Sequence, residues 1–98
     1  MVEQGDIITV RGVDFPLLVV SKNAYNKSGS IIVCPVLKEM DGNVFSVRVE
    51  EKGILGIIRC DDLRHVDYEA RGYHIKGRIS LGKMLVILDM IQSLFDYI

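Results

Sequence analysis

The chain has 98 residues, 49% hydrophobic and 26% charged, a balance that excludes a disordered tail and leaves room for one folded domain, residues 1–98. A formal net charge of −1 and a pI of about 6.1 exclude a global basic field, so any nucleic-acid contact must be local. A chain this short buries roughly 60 to 70% of the surface its unfolded form exposes, which makes a subunit interface a natural further source of stability.

The opening MVEQGDIITV lacks the basic and apolar regions of a signal peptide. The most hydrophobic segment, Leu81 to Phe95, contains Lys83, Asp89 and Gln92 and falls short of the about 20 apolar residues that a bilayer span needs. No membrane contact is expected, and the expected compartment is the cytoplasm. Its reducing conditions fit Cys34 and Cys60, which lie in apolar runs (IIVCPV and GIIRCDD) without CxxC spacing. They read as buried free thiols, with a disulfide as the alternative. The histidines do not cluster, and neither a metal nor a cofactor is expected.

Asp6 to Val10 is a short β-branched run ended by a turn at Gly12. Phe15 to Ser21 is the second predicted strand, with Pro16 near its start, where a missing N–H is tolerated. Asn23 to Gly29 reads as a polar loop, and Ile31 to Val36, continuously apolar, as a strand buried on both faces. A loop over Lys38 to Asn43 turns at Asp41-Gly42-Asn43; Val44 to Val49 then alternates as a strand, Glu50 to Gly53 is a charged turn, and Ile54 to Arg59 is again apolar. Strands at intervals of about 8 to 15 residues, with no helix between them, predict a small antiparallel barrel or sandwich rather than βαβ units.

The period changes after Ser80, a candidate N-cap. Leu81, Met84, Leu85, Leu88, Ile91 and Phe95 recur at helical spacing, and Ile87, Met90, Leu94 and Ile98 widen the stripe, leaving a narrow polar edge. Such a helix either sinks into its own core or also packs on a partner.

The chemistry is sought between Gly53 and Gly72, GILGIIRCDDLRHVDYEARG. Residues i and i+2 of a strand share a face, so Arg59 and Asp61 are expected side by side, with Cys60 pointing away. A cation beside a carboxylate suits charge stabilisation and proton transfer. It is equally the pattern of an exposed ion pair worth roughly 0 to 1 kcal/mol, with Asp62 capping a turn. His65 shares the parity of Arg59 and Asp61 if the strand stays regular, and is a residue type suited to acid catalysis; a structural or solvent-facing role is the alternative. His74 has no partner in sequence. Arg11, Lys22, Lys27, Lys38 and Arg48, in or near loops, either meet phosphates or are solvated.

With its flanks, this stretch resembles the MazF/PemK/Kid family of bacterial toxin endoribonucleases, in which a strand reads approximately G-V-V-R-C-D-Q-x-R-T-I-D-x-x-A-R-G. Here it runs from Gly56 through Arg59-Cys60-Asp61 to Ala70-Arg71-Gly72. Gly5-Asp6-Ile7 is similar to the family's opening G-[DE]-I, and Pro16 to Ser21 to its second strand. Asn26 falls at a loop asparagine, Val33 to Val36 resembles V-x-P-[IVL], and Gly77-Arg78-Ile79-Ser80 leads into a terminal helix as G-x-[IL]-[ST] does.

The resemblance implies a mainly β fold with a C-terminal α-helix, a small SH3-like antiparallel barrel of the CcdB/PemK-like kind, working as a homodimer. It implies the toxin of a type II toxin–antitoxin pair, cutting single-stranded RNA (mRNA) without a metal through the 2′-hydroxyl, and neutralised by a cognate antitoxin with an acidic C-terminal segment. Arg59 and Asp61 fall on the family's catalytic arginine and aspartate, and Ile57, Arg64, His65 and Lys38 are candidate substrate contacts. Many members carry an arginine before the second-strand proline and a threonine or serine two residues after the third-strand proline; here Phe15 and Leu37 stand there. The first loop is also cut to Arg11–Asp14, without the family's G-[HS]-E-Q. Those departures leave an alternative: a catalytically degenerate binding module on the same fold, or a CcdB-like toxin that acts on a protein target, gyrase.

Overall fold

A computed structural model describes residues 1–38 and 42–96. Asp41 of the predicted turn and Ile98 of the helical stripe lie outside the described residues. The strands are β1 (Asp6–Val10), β2 (Leu17–Val19), β3 (Ser30–Leu37), β4 (Ser46–Glu51), β5 (Ile54–Arg59), β6 (Arg64–Asp67) and β7 (Tyr73–Arg78). They form one curled antiparallel sheet in the order β4-β5-β3-β2-β1-β7, with β6 also paired to β3. Single-turn helices α1 (Asn23–Asn26) and α2 (Tyr68–Arg71) interrupt the strands, and α3 (Leu81–Ser93) closes the described chain. This is the mainly β architecture with a C-terminal helix expected from the sequence.

The central strands are apolar without alternation because the sheet is covered on both faces. In β3, Ile31 and Val33 join one buried cluster with Ile8, Leu17 and Tyr68, while Cys34 and Val36 join another with Ile7, Leu18, Ile58, Met84 and Ile87. Successive residues of one strand thus feed two cores. Cys34 and Cys60 are both buried free thiols, as expected, and burial pushes them up to about 12 and about 11. Tyr68 seals one face: its ring is buried, its hydroxyl donates to the Asn26 carbonyl at 3.0 Å, and Tyr73 packs edge-on at 5.1 Å.

Two expectations are corrected, and one alternative that the sequence left open is decided. The fourth strand begins at Ser46 rather than Val44 and runs on through Glu51, because Asn43 folds Val44 and Phe45 into a turn; the charged turn shrinks to Lys52 and Gly53, both at positive φ (52° and 79°), the backbone demanded by a two-residue hairpin. The stretch read as a polar loop contains the α1 turn, whose Asn26 is fully buried and bonded to Ser21. The helix buries Met84 and Ile87 but leaves Leu81 75% and Leu85 54% exposed. It is therefore not sunk in its own core: one side rests on the sheet and a second apolar side is open. Its N-cap is as predicted, with Ser80 Oγ accepting from Lys83 N at 3.2 Å, while the Ser80 amide donates to Glu51 at 2.6 Å.

One edge of β3 positions the candidate residues. Its first half, Ser30 to Val33, pairs with β6, and its end, Val36 and Leu37, pairs with β5. Because β5 and β6 share that edge, the segment between them, residues 60 to 63, must form a corner. The close approach of β5 to β3 needs Gly56, where an added Cβ would lie 2.7 Å from a methyl of Val36 and 3.0 Å from the Leu37 carbonyl.

Candidate active site

Arg59 is the last residue of β5, opposite Ser46 of β4. The chain then turns: the Asp62 amide donates to the Arg59 carbonyl at 3.1 Å and the Cys60 amide to that of Phe45 at 3.2 Å. The Cys60 side chain is driven into the core, which anchors the turn and leaves Asp61 outside beside Arg59. The expected juxtaposition is present, but a turn makes it rather than strand alternation. The contact is a two-point fork, Arg59 Nε to Asp61 Oδ1 and Nη2 to Oδ2, both 2.8 Å, with each side chain about a quarter exposed (27% and 26%).

A third group, not singled out in the sequence, completes this pair. Asn43 Nδ2 donates to Asp61 Oδ2 at 3.0 Å. Its own amide is fixed in turn: Oδ1 accepts from Phe45 N at 2.9 Å and from Ser46 Oγ at 3.1 Å, and the Asn43 backbone N–H donates to Ser46 Oγ at 2.9 Å. An asparagine two residues before a turn phenylalanine was the available signal, since Asn favours such side-chain-to-backbone turns. The Arg59 donors, and after them the Asn43 amide, hold the Asp61 carboxyl well below the usual carboxylate range.

A second fork follows at once. Arg64 Nε and Nη2 donate to Asp62 at 3.0 and 2.9 Å, and the Arg64 guanidinium stands 5.0 Å from the centre of the Phe15 ring. This pair lowers the Asp62 carboxyl and raises Arg64, chiefly through their mutual hydrogen bonds. Phe15 and Leu37, at the positions where the resembled family carries its arginine and its threonine or serine, line one groove of about 350 Å³ with Asp14, Pro16, Leu55 and Lys38. The groove is thus apolar, with one cation and one carboxylate at its polar positions.

The other candidates fall as follows. Lys38 is exposed in that groove. Ile57, two residues before Arg59 and opposite Leu37, is 8% exposed and offers little surface. His65 sits on β6 opposite Ile32, and among the described residues no hydrogen bond joins it to Arg59 or Asp61. The parity argument for it fails because β5 ends at Arg59 and β6 starts only at Arg64. Among the described residues no three His, Cys, Asp or Glu side chains gather as metal ligands, and no helix is long and apolar enough to cross a membrane.

The family description "PemK-like, MazF-like toxin of type II toxin–antitoxin system" matches residues 3–95. The chain belongs to that family. Its fold is similar to a chain of a MazE–MazF crystal structure from Deinococcus radiodurans, at 24% identity and a TM-score of 0.86, covering 96% of this chain and 95% of that one. MazF alone from the same organism matches at 22% identity, a TM-score of 0.82 and 96% coverage of both chains. An endoribonuclease from a mycobacterial species, in complex with its cognate antitoxin, matches at 15% identity and 0.83, covering 97% of this chain and 95% of that one. Among curated protein sequences no significant match is found.

Proposed function

We propose that this MazF-like toxin is a metal-independent endoribonuclease in which Arg59 and Asp61 carry the reaction. The observation that carries the reading is the Arg59–Asp61 fork, held by Asn43 at a solvent-accessible corner, in a chain of this family. Asp61 removes the proton of a ribose 2′-hydroxyl; the 2′-oxygen attacks the neighbouring phosphorus, and the bond from phosphorus to the 5′-oxygen breaks. The products are a 2′,3′-cyclic phosphate and a 5′-hydroxyl, whose proton comes from water. Requirement for the 2′-hydroxyl confines the reaction to RNA.

Arg59 is too weak an acid to give up a proton, and its planar fork is suited to binding phosphate oxygens and stabilising the charge that builds on them. In the free protein its Nε and Nη2 donate to Asp61. An incoming phosphate competes for those donors, and as the fork transfers, the carboxyl loses the main cause of its low pKa and becomes a stronger base. Arg64, Lys38 and His65 are proposed as substrate contacts, with Ile57 as backing beneath Arg59.

The working unit is proposed to be a homodimer, in keeping with the open apolar side of α3, in the cytoplasm. The partner is a cognate antitoxin whose acidic C-terminal segment covers the RNA site; similar chains have been solved with MazE or with a cognate antitoxin. A second reading, a binding module that no longer cuts, is favoured by the apolar groove at Phe15 and Leu37. End-group analysis separates them. Incubated with a long single-stranded RNA in EDTA, the toxin should release fragments with cyclic phosphate and 5′-hydroxyl termini, and a 2′-deoxy substitution at the cut site should stop it. Binding of that RNA without fragments would establish the second reading.

A further inference from the structure

At the Arg11 end of the β1–β2 turn lies a second hollow, of about 550 Å³, to which Thr9, Arg11, Arg71, Tyr73 and His74 contribute. Three different pieces of chain bring these residues together. Thr9 and His74 face each other across β1 and β7. The Arg11 amide donates to the Gly72 carbonyl at 3.2 Å, which ties the turn to the end of α2. Gly12, at φ 88°, presents no side chain, and a Cβ there would lie 3.9 Å from an Arg71 guanidinium nitrogen. The Arg71 head group therefore reaches back over the turn that carries Arg11. Glu69, the carboxylate nearest to Arg71 in sequence, is directed instead at Gly29, within 3.2 Å of where its Cβ would stand, and among the described residues no ion pair engages Arg11 or Arg71.

Two guanidinium groups, a hydroxyl and an imidazole around one open hollow make a site for a tetrahedral oxyanion, since the arginine forks match phosphate oxygens in two-point contacts. Position decides which phosphate. Arg11 begins the β1–β2 turn and lines this hollow, while Asp14, Phe15 and Pro16 end it and line the groove beside Arg64. The same turn carries Phe15, on whose ring the Arg64 guanidinium stands at 5.0 Å, and Arg64 follows Asp61 by three residues, so the turn links the neighbourhood of the corner to Arg11. We propose that the hollow between the β1–β2 turn and β7 is a second phosphate subsite, which grips the backbone of single-stranded RNA away from the cut bond. This rests on the RNA reading of the corner but not on its chemistry.

The test is binding of a labelled, mixed-sequence oligoribonucleotide with 2′-O-methyl riboses, which cannot be cut, across a salt series. Each phosphate contact removed from a single strand should lower the slope of log affinity against log salt by about 0.7. Arg11→Ala and Arg71→Ala are expected each to weaken binding and lower the slope by that amount; Arg11→Lys and Arg71→Lys should retain most of it, and Lys83→Ala, on α3, should change nothing. A double alanine variant that is folded by thermal unfolding yet keeps the wild-type slope overturns the subsite, as does failure of the wild type to bind. So does a double variant that loses a glutamate-rich peptide while holding RNA unchanged, which assigns the hollow to an acidic protein segment. If the slopes fall as expected but the unmodified RNA is never cut, the subsite stands and the nuclease reading falls.

Discussion

Two arginine–aspartate forks stand within six residues of each other, with the same i, i+2 spacing and nearly the same geometry, yet their surroundings differ. Arg59 and Asp61 are about a quarter exposed and share a third polar group, Asn43, which is fixed by its own turn. Arg64 and Asp62 are more open (46% and 33%), and their third neighbour is the Phe15 ring. The first arrangement holds a carboxylate in one orientation at a solvent-accessible corner. The second parks a cation on an aromatic face and gives no aimed base. Spacing and charge alone do not distinguish the two pairs; what touches the aspartate does.

The comparison is broken most strongly by removing the cations. Arg59→Ala should lower the RNA cleavage rate by about 10²- to 10³-fold, the loss typical of one oriented charge-stabilising group, and Arg59→Lys should restore only part because a point charge lacks the fork. Arg64→Ala should cost at most about fivefold, the equivalent of an exposed pair worth about 1 kcal/mol. Single-turnover rates on one RNA check both.

Next in size is the orientation of the base. Asn43→Ala removes a donor to the carboxylate, so the Asp61 pKa should rise toward the ordinary value of about 3.9. A base must be deprotonated to act, so the acid limb of the pH–rate profile should move upward in pH. Loss of rate without movement of that limb would mean that Asn43 only supports the loop.

The smallest effects concern stability and sharpen the second pair. Phe15→Ala removes the ring beneath Arg64 and is expected to cost the cation–π contact, about 0.5 to 1 kcal/mol, besides its packing. For Asp62→Asn the sign follows from linkage. The folded carboxyl is lowered, so its contribution is fully present above the unfolded pKa of about 3.9 and is lost as pH falls through the folded value. The variant should be the less stable protein near neutral pH, and the gap should close in acid, as read by denaturant unfolding.

Much of this was legible because the burial pattern is strong. Ile31 to Val36 and Leu17 to Val20 are apolar without alternation, and the structure buries them on both faces. Ser80 announced its helix by capping chemistry. What stayed hidden was long-range. Strands β6 and β7 carry RHVD and YHIKGR, mostly exposed segments whose pairing with β3 and β1 no local pattern reveals. The helical stripe was visible, but which side meets the sheet depends on the sheet's curl. At the site, the residue pair was readable and its cause was not: Arg59 and Asp61 meet through a corner imposed by two strands sharing one edge of β3, and Asn43 reaches them from 18 residues away in sequence.

The most direct test places the two aspartates side by side. Single-turnover cleavage of one single-stranded RNA in EDTA should be about 10²- to 10⁴-fold slower for Asp61→Asn, the range for loss of a general base, and within about fivefold of wild type for Asp62→Asn. Equal cleavage by Asp61→Asn and wild type, or a larger loss in Asp62→Asn, would contradict the assignment of the chemistry to the Arg59–Asp61 fork.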